Sequence, residues 1–543
     1  MSSPDSYQSL NGLLNQSQQD SDLKAKVNIV HEPEDTRFMS FRTLWSYAGP
    51  GWLMAIAYLD PGNIVSDLQA GAYAGYSLLW VLLLATCAGW LCQRLALSIG
   101  AVTGRHLAEI CRENLPRPVS FTLWIMAEIA IIGNDIQQII GSAVAFKILF
   151  GFPLWAGSII TVLDTFTFLL FQYFGIRKLE AFFASLVAVM SVCFFINCGY
   201  VGPDVADVAE GIFVPTVRSY AILQMVGLIG AVIMPHNIYL HSASVSAREL
   251  DRSTPKFVRE SIKYFSLDAA CALALSFFIN AAVISSFSAG FFNRTCAPDH
   301  KAWIVDDENP AGYCGEVGLF NAGPVLGRLL GSAAQYVWAV GILAAGQAAT
   351  MTGAYAGEYV MQGFLNLRIR RWLRVLLTRC VALIPALIMA ILSQSSSGLE
   401  DALDNWMNVV QSLQLPFALI PVLHFASSEK IMGDYRASGA TQVVMWLLTI
   451  VVVGVNFYLL ANRLPDAVGD FSNSAWFYVI VSVVGAMYGA FIVYLSHHEI
   501  LALWTVLRRK MGGGGLDDGG NYDEMAEDSV ASGSRSLSYT SYN

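Results

Sequence analysis

The feature that most constrains this chain is a succession of apolar segments, each long enough to cross a lipid bilayer. A bilayer core needs roughly 20 apolar residues per helix, and twelve segments meet that length with short polar loops between most of them. Only 13% of the residues are charged, against about 25% in soluble proteins, and the mean hydropathy is +0.50. The sequence therefore predicts an all-α polytopic membrane protein with spans at about 45–73, 78–100, 120–147, 153–172, 180–200, 220–246, 262–288, 332–362, 375–393, 401–425, 441–461 and 474–497.

The spans divide the chain into a membrane domain and two polar tails. Residues 1–40 and the Gly/Ser-rich, acidic stretch 501–543 are expected to be mostly disordered. The nine cysteines form no CxxC pair, so cysteine-based zinc or redox chemistry is not predicted, and no motif indicates a nucleic-acid partner. The predicted membrane domain covers 41–500, with spans 1–5 at about 45–200, spans 6–10 at about 220–425 and spans 11–12 at about 441–497.

The distribution of Lys and Arg predicts the orientation of the spans. With the N-terminus in the cytoplasm, the inside loops and the start of the C-terminal tail hold twenty basic residues and the outside loops six, which is the bias expected of cytoplasmic loops. The outside loop 289–331 then contains a glycosylation sequon at Asn293. Cys296 and Cys314 lie in the same loop, where a disulfide is permitted. Both termini are therefore predicted to be cytoplasmic.

The first span is interrupted by the tetrad DPGN, which begins at Asp60. About 13 residues, from Tyr47 to Leu59, precede it, and at 1.5 Å each they reach roughly 20 Å, short of a ~30 Å core. Pro61 removes a backbone donor and Gly62 tolerates unusual dihedral angles. DPG alone is a common turn signal, but the span length predicts a helix broken within the membrane.

The sixth span repeats this pattern. The fourteen residues from Ala221 to Met234 form an apolar half-helix, Met234 is also the first residue of the tetrad MPHN at 234–237, and IYLHSASV follows. A single proline in a membrane helix is often only a kink. Two matching breaks, each in the first span of a five-span block, predict an inverted-repeat transporter with its substrate site between two discontinuous helices. Irregular backbone is tolerated at that depth where it is buried or lines a cavity.

The two tetrads supply candidate metal ligands. Asp60 offers a carboxylate and Asn63 an amide oxygen, and unwinding frees backbone carbonyls near Ala57 and Ala231. Oxygen ligands alone suit Mg²⁺ or Ca²⁺, whereas the thioether of Met234 favours softer transition metals. Met more commonly fills space in a core, so its position beside the break is what favours a ligand.

Several segments resemble the NRAMP family, the natural resistance-associated macrophage protein transporters. These segments are GPGWLMAIAYLDPGNIVSDLQAGA, GAVIMPHNIYLHSA and the stretch 346–379, and the resemblance covers about residues 40–500. The sequence is similar above all to eukaryotic divalent metal transporters. The resemblance implies a LeuT-like fold with an inverted 5+5 repeat, discontinuous helices 1 and 6, and proton-coupled import of Mn²⁺ and Fe²⁺, with Cd²⁺ also expected, and no resident cofactor.

The resemblance also implies particular roles for residues. An acidic residue at the Asp135 position accepts the proton after the metal-site aspartate, and His236, with His241, lies along the suggested route. The third span also carries Glu128, seven residues before Asp135 and near the same helical face. His241 is equally consistent with a packing histidine, and Arg379 with an ordinary positive-inside anchor or a partner of Asp135. The implied metal ligands are Asp60, Asn63, Met234 and the carbonyls of Ala57 and Ala231, with Asn408, or its neighbour Gln411, recruited on occlusion.

Two positions depart from the family pattern. Gln138 stands where the family usually has Glu, and a glutamine hydrogen-bonds without carrying a proton. Val65 replaces an acidic residue often found just after DPGN in animal relatives. Metal import is therefore predicted with a proton route that is weaker or rerouted.

Two other classes of function remain open at this point. A Na⁺-coupled amino-acid transporter would share the fold, but its site needs backbone donors rather than an Asp, Asn and Met cluster. A non-transporting metal sensor would normally carry a sizeable soluble domain. An enzyme is not predicted, because no nucleophile or base arrangement occurs. The motif at Tyr7 resembles a sorting signal for adaptors, and plasma, endosomal and vacuolar membranes are all compatible.

Overall fold

The structure, a computed structural model, describes residues 40–171, 176–305, 311–367, 371–392, 399–462 and 475–512. The predicted N-terminal tail with its Tyr7 motif lies outside these residues, as does the C-terminal tail beyond Gly512. Residues up to Gly489 form one compact unit and a second begins at Ala490. Every candidate site residue belongs to the first unit.

Helices account for most of the described residues. Short 3₁₀ turns at Gly75–Leu78, Ser219–Ala221, Ala297–Asp299 and Gly433–Tyr435 lie between some of them. The helices are α1 Phe41–Tyr47, α2 Pro50–Ala57, α3 Pro61–Ala74, α4 Leu79–Thr103, α5 Leu107–Asn114, α6 Arg117–Phe150, α7 Leu154–Phe171, α8 Ile176–Val201, α9 Val205–Phe213, α10 Ile222–Val232, α11 Pro235–Ser246, α12 Pro255–Phe291, α13 Leu319–Leu330, α14 Ser332–Leu365, α15 Arg371–Leu392, α16 Leu399–Gln414, α17 Pro416–Ser427, α18 Glu429–Met432, α19 Gly439–Asn462 and α20 Ala475–Gly512.

The apolar spans predicted from the sequence are helical. Among the described residues, nine segments are long and apolar enough to cross a membrane, and two shorter apolar helices, Leu154–Asp164 and Leu376–Ile388, match the fourth and ninth predicted spans. The segment Pro61–Thr103 contains the second half of span 1 and all of span 2. The prediction of an all-α polytopic membrane protein is confirmed. The last helix extends to Gly512, past the predicted end of span 12 at 497.

The helices pack in two groups that reflect the five-span repeat. Spans 1, 2, 6 and 7 contact one another, through α2 and α3, α4, α10 and α11, and α12. Spans 3, 4, 8 and 9 form the second group, through α6, α7, α14 and α15. Each group holds two spans from the first block and their counterparts five spans later. This is the arrangement expected of two repeats that each contribute to both groups.

Both predicted breaks are present and have the same local cause. Asp60 is the N-cap of α3 and accepts a hydrogen bond from the backbone of Asn63, while Pro61 occupies the first helical position. Met234 and Pro235 take the same positions at the start of α11. Proline is tolerated there because the first N–H groups of a helix have no intrahelical partner. Each tetrad therefore ends one half-helix and begins another.

The loop 289–331 contains more structure than its sequence suggested. It forms a two-stranded antiparallel hairpin, Ala302–Ile304 with Tyr313–Gly315, in which Trp303 lies opposite Cys314, and it continues into α13. Cys296 and Cys314 are joined in a disulfide with a Cα–Cα distance of 5.4 Å. The disulfide anchors the hairpin to the end of α12.

Candidate metal-transport site

The two broken helices bring their breaks to the same level. The half-helix before the first break, α2, packs against α11, which follows the second break, and α3 packs against α10 in the complementary way. Two antiparallel broken helices that pair in this crossed manner must have their interruptions side by side. The tetrads DPGN and MPHN therefore contribute to one site in the interior of the bundle.

The first break holds unsatisfied oxygen atoms. Asp60 and Asn63 are completely buried. One Asp60 oxygen, Oδ1, accepts a hydrogen bond of 2.8 Å from the Asn63 backbone N–H, whereas Asp60 Oδ2 and Asn63 Oδ1 are buried without a partner among the described residues. Buried acceptors without donors are rare in folded proteins. A bound cation satisfies such a pair of oxygens directly.

Side chains hold the carbonyl groups that the break releases. Asn63 Nδ2 donates to the Ala57 carbonyl at 3.2 Å, and Asn280 Nδ2, on α12, donates to the Tyr58 carbonyl at 3.0 Å. The first contact fixes the orientation of the Asn63 amide. The carbonyls at the end of α2 also carry the negative end of the helix dipole, which favours a cation.

The second break places a candidate sulfur ligand, Met234, and a histidine in the same region. Met234 is 1% exposed at the N-cap of α11, and Ala231 is buried in the last turn of α10. His236 Nε2 lies 3.4 Å from the Asn134 side-chain nitrogen on α6. His236 therefore connects the second break to the helix that carries the acidic residues.

Asn408 and Gln411 lie in a buried amide network beside the first break. Asn408 donates to Ser66 Oγ at 2.8 Å and to the Gly62 carbonyl at 3.3 Å. Its oxygen accepts from Gln137 Nε2 at 3.0 Å, and Gln411 donates to Gln137 Oε1 at 3.0 Å. Gly62 has no side chain, which allows the close approach of Gln137, because a Cβ there would lie 2.6 Å from Gln137 Oε1.

The acidic residues of α6 face arginines of α15. Asp135 and Arg379 are each 2% exposed and form an ion pair of 3.4 Å. Arg379 also donates to Gln138 Oε1 at 3.2 Å and to the Thr350 carbonyl at 2.6 Å. Gln138, the departure from the family pattern, therefore serves as a neutral acceptor for the same guanidinium.

A second ion pair lies nearer the start of α6. Glu128 accepts from Arg374 at 3.1 Å and from Trp124 Nε1 at 3.1 Å. Glu128 precedes Asp135 by seven residues, about 10 Å along the helix. The two ion pairs join α6 to α15 at two levels. The pair formed by Asp135 and Arg379 is the one nearer to the broken helices.

His241 belongs to a different network. Its Nδ1 lies 2.8 Å from Gln93 Oε1, and Gln93 Nε2 donates to the Tyr58 hydroxyl at 3.4 Å. Since Gln93 Oε1 is an acceptor, His241 Nδ1 carries the proton in this arrangement. His241 thus links α11 through α4 to the end of α2, away from the two arginines.

Three further residues belong to this region that the sequence analysis did not single out. Asp67, on α3, is completely buried with neither carboxylate oxygen paired among the described residues. Asn237 has both side-chain polar atoms buried and unpaired in the same part of the chain. Gln137 joins Asn408 to Gln411. The symmetry of DPGN and MPHN is a signal that indicates Asn237, the counterpart of Asn63.

No group of three or more His, Cys, Asp or Glu side chains in the described part of the chain could hold a metal ion. The candidate donors of this region differ from those of resident zinc or calcium sites, because they include an amide, backbone carbonyls and a thioether beside the buried carboxylates of Asp60 and Asp67.

The fold and the site together define a membrane transporter built on two broken, inversely repeated helices, the LeuT-like class. The model of the natural resistance-associated macrophage protein-like family matches residues 51–462. The chain belongs to this family of metal transporters, which are not enzymes.

Relatives of known name agree with this assignment. The Dictyostelium discoideum metal transporter nramp1 homolog is 46% identical over 87% of this chain and 84% of its own length. The human natural resistance-associated macrophage protein 2 is 44% identical over 88% of this chain and 84% of its own. A crystal structure of a mutant of the Eremococcus coleocola manganese transporter superposes with a TM-score of 0.73 at 29% identity, covering 90% of this chain and 99% of the other.

Proposed function

We propose that this protein imports Mn²⁺ and Fe²⁺ toward the cytosol by alternating access, driven by protons, and that it also accepts Cd²⁺. The observation that carries the proposal is the pair of buried oxygens without a partner among the described residues, Asp60 Oδ2 and Asn63 Oδ1, at the level where Met234 is the N-cap of α11. The similarity to a manganese transporter of solved structure supports the choice of metal.

The proposed ligands account for selectivity among divalent ions. Asp60 supplies the one negative charge, Asn63 and the carbonyls of Ala57 and Ala231 supply neutral oxygens, and Met234 supplies sulfur. Hard ions such as Ca²⁺ and Mg²⁺ gain little from a thioether, whereas Mn²⁺, Fe²⁺ and above all Cd²⁺ tolerate or prefer it.

The amide network completes the site when the metal is enclosed. Asn408 lies beside the first break, where its Nδ2 donates to the Gly62 carbonyl at 3.3 Å, and a rotation of its amide away from Gln137 would free its oxygen to bind the metal. Gln411 is held by the same Gln137 and offers an unpartnered oxygen.

The proposed proton route begins at the metal site. A metal displaces the proton from Asp60, because only the carboxylate binds it. His236 and Asn134 bridge α11 and α6, and the ion pair of Asp135 with Arg379 follows. Glu128 with Arg374 continues toward the start of α6, the end that the positive-inside bias places in the cytosol.

The experiment that tests this function measures Mn²⁺ uptake and internal pH in vesicles that contain the purified full chain. Mn²⁺ entry accompanied by acidification is expected for the native protein, and Asp60→Ala abolishes both. Asp434→Ala, at an exposed position, is the matched control. Uptake that survives Asp60→Ala would exclude this site as the transport site.

Met234→Ala tests whether Met234 binds the metal through its sulfur or only fills space in the core. The expected result is a relative gain of Ca²⁺ over Cd²⁺ in competition with Mn²⁺, because the remaining ligands are all oxygen. Met190→Ala, which truncates an equally buried methionine of α8, controls for the loss of packing. Identical ion selectivity in the two variants would show that Met234 does not bind the metal.

A further inference from the structure

A cleft with three arginines lies outside the transport site. It has a volume of about 270 Å³ and is lined by Arg94 of α4, Arg259 of α12 and Arg436 of the loop before α19. Its lining contains no Asp or Glu. Three positive charges from three distant parts of the chain therefore surround one cavity at the end of the bundle where α12 and α19 begin.

Two of these arginines are available to bind an anion. Neither Arg94 nor Arg259 has a carboxylate within ion-pair distance in the described part of the chain, whereas Arg436 pairs with Glu429 at 2.7 Å. Arg94 lies 5.9 Å from the centre of the Trp90 ring, and stacking of this kind leaves the N–H edge of a guanidinium free. Arg is the residue best suited to bind phosphate oxygens in pairs.

The start of α19 adds hydrogen-bond donors to the same cleft. Ser438 and Thr441 line it, and Ser438 Oγ accepts from the Thr441 backbone at 3.3 Å. The helix that begins here runs to Asn462, so the positive end of its dipole adds to the arginine charges.

The cleft has a partly apolar wall and lies next to an exposed apolar face of α19. Leu95, Ile262 and Met432 contribute to its wall. Along α19, one turn beyond the cleft, Val443 and Leu447 are each 59% exposed, as expected of side chains that face lipid. A phospholipid whose phosphate group is bound by the arginines would therefore have its acyl chains beside Val443 and Leu447.

We propose that this cleft binds the phosphate headgroup of an anionic phospholipid on the predicted cytoplasmic side of the membrane. The shared chemistry is a phosphate group, and the adjacent apolar face of α19 selects a lipid over a soluble phosphate. The inference rests on the cleft alone and does not depend on the transported ion.

The test measures phosphatidic acid retained by the full-length protein, using native mass spectrometry from phosphatidylcholine-containing micelles. Replacing both unpaired arginines (Arg94→Gln with Arg259→Gln) is expected to weaken retention about tenfold or more. Replacing two exposed arginines outside the cleft, Arg105→Gln with Arg117→Gln, removes the same charge and is expected to leave retention within about twofold. Equal losses in both double variants would overturn the proposal in favour of general surface charge.

A second variant and a second ligand keep the test decisive. Ala437→Trp fills the cleft while all three arginines remain, and it is expected to abolish retention even if the double variant folds poorly. Glycerol 3-phosphate is expected not to displace the lipid at equal concentration. Displacement by it would identify a site for soluble phosphates and overturn the assignment to lipid. Retention that survives Ala437→Trp would place the lipid elsewhere and equally overturn it.

Discussion

At the scale of single residues, Gln138 shows how a change of one atom alters an ion-pair network. Among the described residues, Arg379 has one ion-pair partner, Asp135, and it donates to the neutral side chain of Gln138. A glutamate at that position would give the guanidinium two carboxylates. The present arrangement holds Arg379 through an acceptor that cannot exchange a proton, so the proposed proton route relies on Asp135 alone at this level.

Gln138→Glu is expected to strengthen the dependence of metal uptake on pH. The new carboxylate adds a titrating group beside Asp135, and like charges so close cannot both ionise freely. We expect the ratio of Mn²⁺ uptake at pH 5.5 to that at pH 7.5 to rise on the order of tenfold, as measured by initial rates in vesicles. Gln442→Glu, at the start of α19, is the control, and a profile that matches the native one in both variants would contradict this role of position 138.

Residue types and spacing predicted the helix breaks at the two tetrads. They could not predict which buried polar groups lack hydrogen-bond partners. Asp67 lies within the very stretch that indicated the site, yet only the structure shows that neither of its oxygens is paired among the described residues. Gln137 was missed because its partners, Asn408 and Gln411, are about 270 residues away. A hydrogen-bond network between distant spans leaves no periodic signal in the sequence.

At the scale of elements, a broken helix is stable in the membrane only if other helices satisfy its free carbonyls. Each unsatisfied backbone group in hydrocarbon costs several kcal/mol. Here α12 supplies donors to the end of α2, through Ser276 to the Ala55 carbonyl and through Asn280 to the Tyr58 carbonyl. The break thus depends on a helix of the opposite repeat.

Asn280→Ala is expected to destabilise the protein by about 1–3 kcal/mol, because it leaves the Tyr58 carbonyl buried without its donor. The free energy of unfolding is measured in detergent, by thermal or denaturant-induced unfolding. Phe278→Ala, two residues away and 59% exposed, truncates a larger side chain that faces outward and is expected to cost less. The hydrogen-bond argument fails if Phe278→Ala is the more damaging of the two.

The short helix α5, outside the spans, provides a pH-dependent contact. Burial would raise the pKa of Glu109, but its hydrogen bond to His106 and the charges of His106 and Arg112 outweigh burial and hold the pKa below its usual value. Glu109 Oε2 also accepts from the His106 backbone N–H at 3.2 Å, closing the start of the helix.

Glu109→Gln is expected to lower stability by about 0.5 kcal/mol at pH 7, the scale of partly exposed pairs. Because the folded pKa is lowered, the contribution of Glu109 is complete above its unfolded pKa of about 4.3 and is lost as the pH falls through the folded pKa. Melting temperatures of the native and variant proteins should therefore differ at pH 7 and converge once the pH falls below the lowered folded pKa of Glu109. A difference that persists at low pH would assign the effect to something other than ionisation.

The presence and approximate extent of the long helices could be predicted because apolar length is a direct physical requirement of the bilayer, whereas the polar end of the last helix, which reaches Gly512, could not. The short helices α5, α9 and α13 could not, because each has 8 to 12 residues and lies between spans, where no apolar run marks it. The additional interruption at Leu415, between α16 and α17, was also missed. Pro416 follows it directly, so the signal was present as a proline within an apolar segment.

At the scale of the whole molecule, two breaks in corresponding spans sufficed to predict the repeat but not the packing. The pairing of spans 1, 2, 6 and 7, and of spans 3, 4, 8 and 9, is visible only in the structure. It explains why the acidic residues lie opposite the breaks. Asp135 and Glu128 belong to the second group, while Asp60 and Met234 belong to the first, so relative motion of the groups would separate the proposed metal ligands from the proposed proton carriers.

The orientation of the whole molecule determines the direction of transport, and the chain contains its own matched pair of reporters. The sequon at Asn293 lies in the disulfide-linked loop, where Asn293 Oδ1 accepts from the Thr295 backbone at 2.9 Å. A second sequon at Asn15 lies in the N-terminal tail, on the opposite side of the predicted topology. Expressed in a cell that glycosylates secreted loops, the protein should lose a glycosidase-sensitive mobility shift in Asn293→Gln and keep it in Asn15→Gln. The reverse result would place both termini outside and turn the proposed import into export, since the same broken helices would then open toward the other side of the membrane.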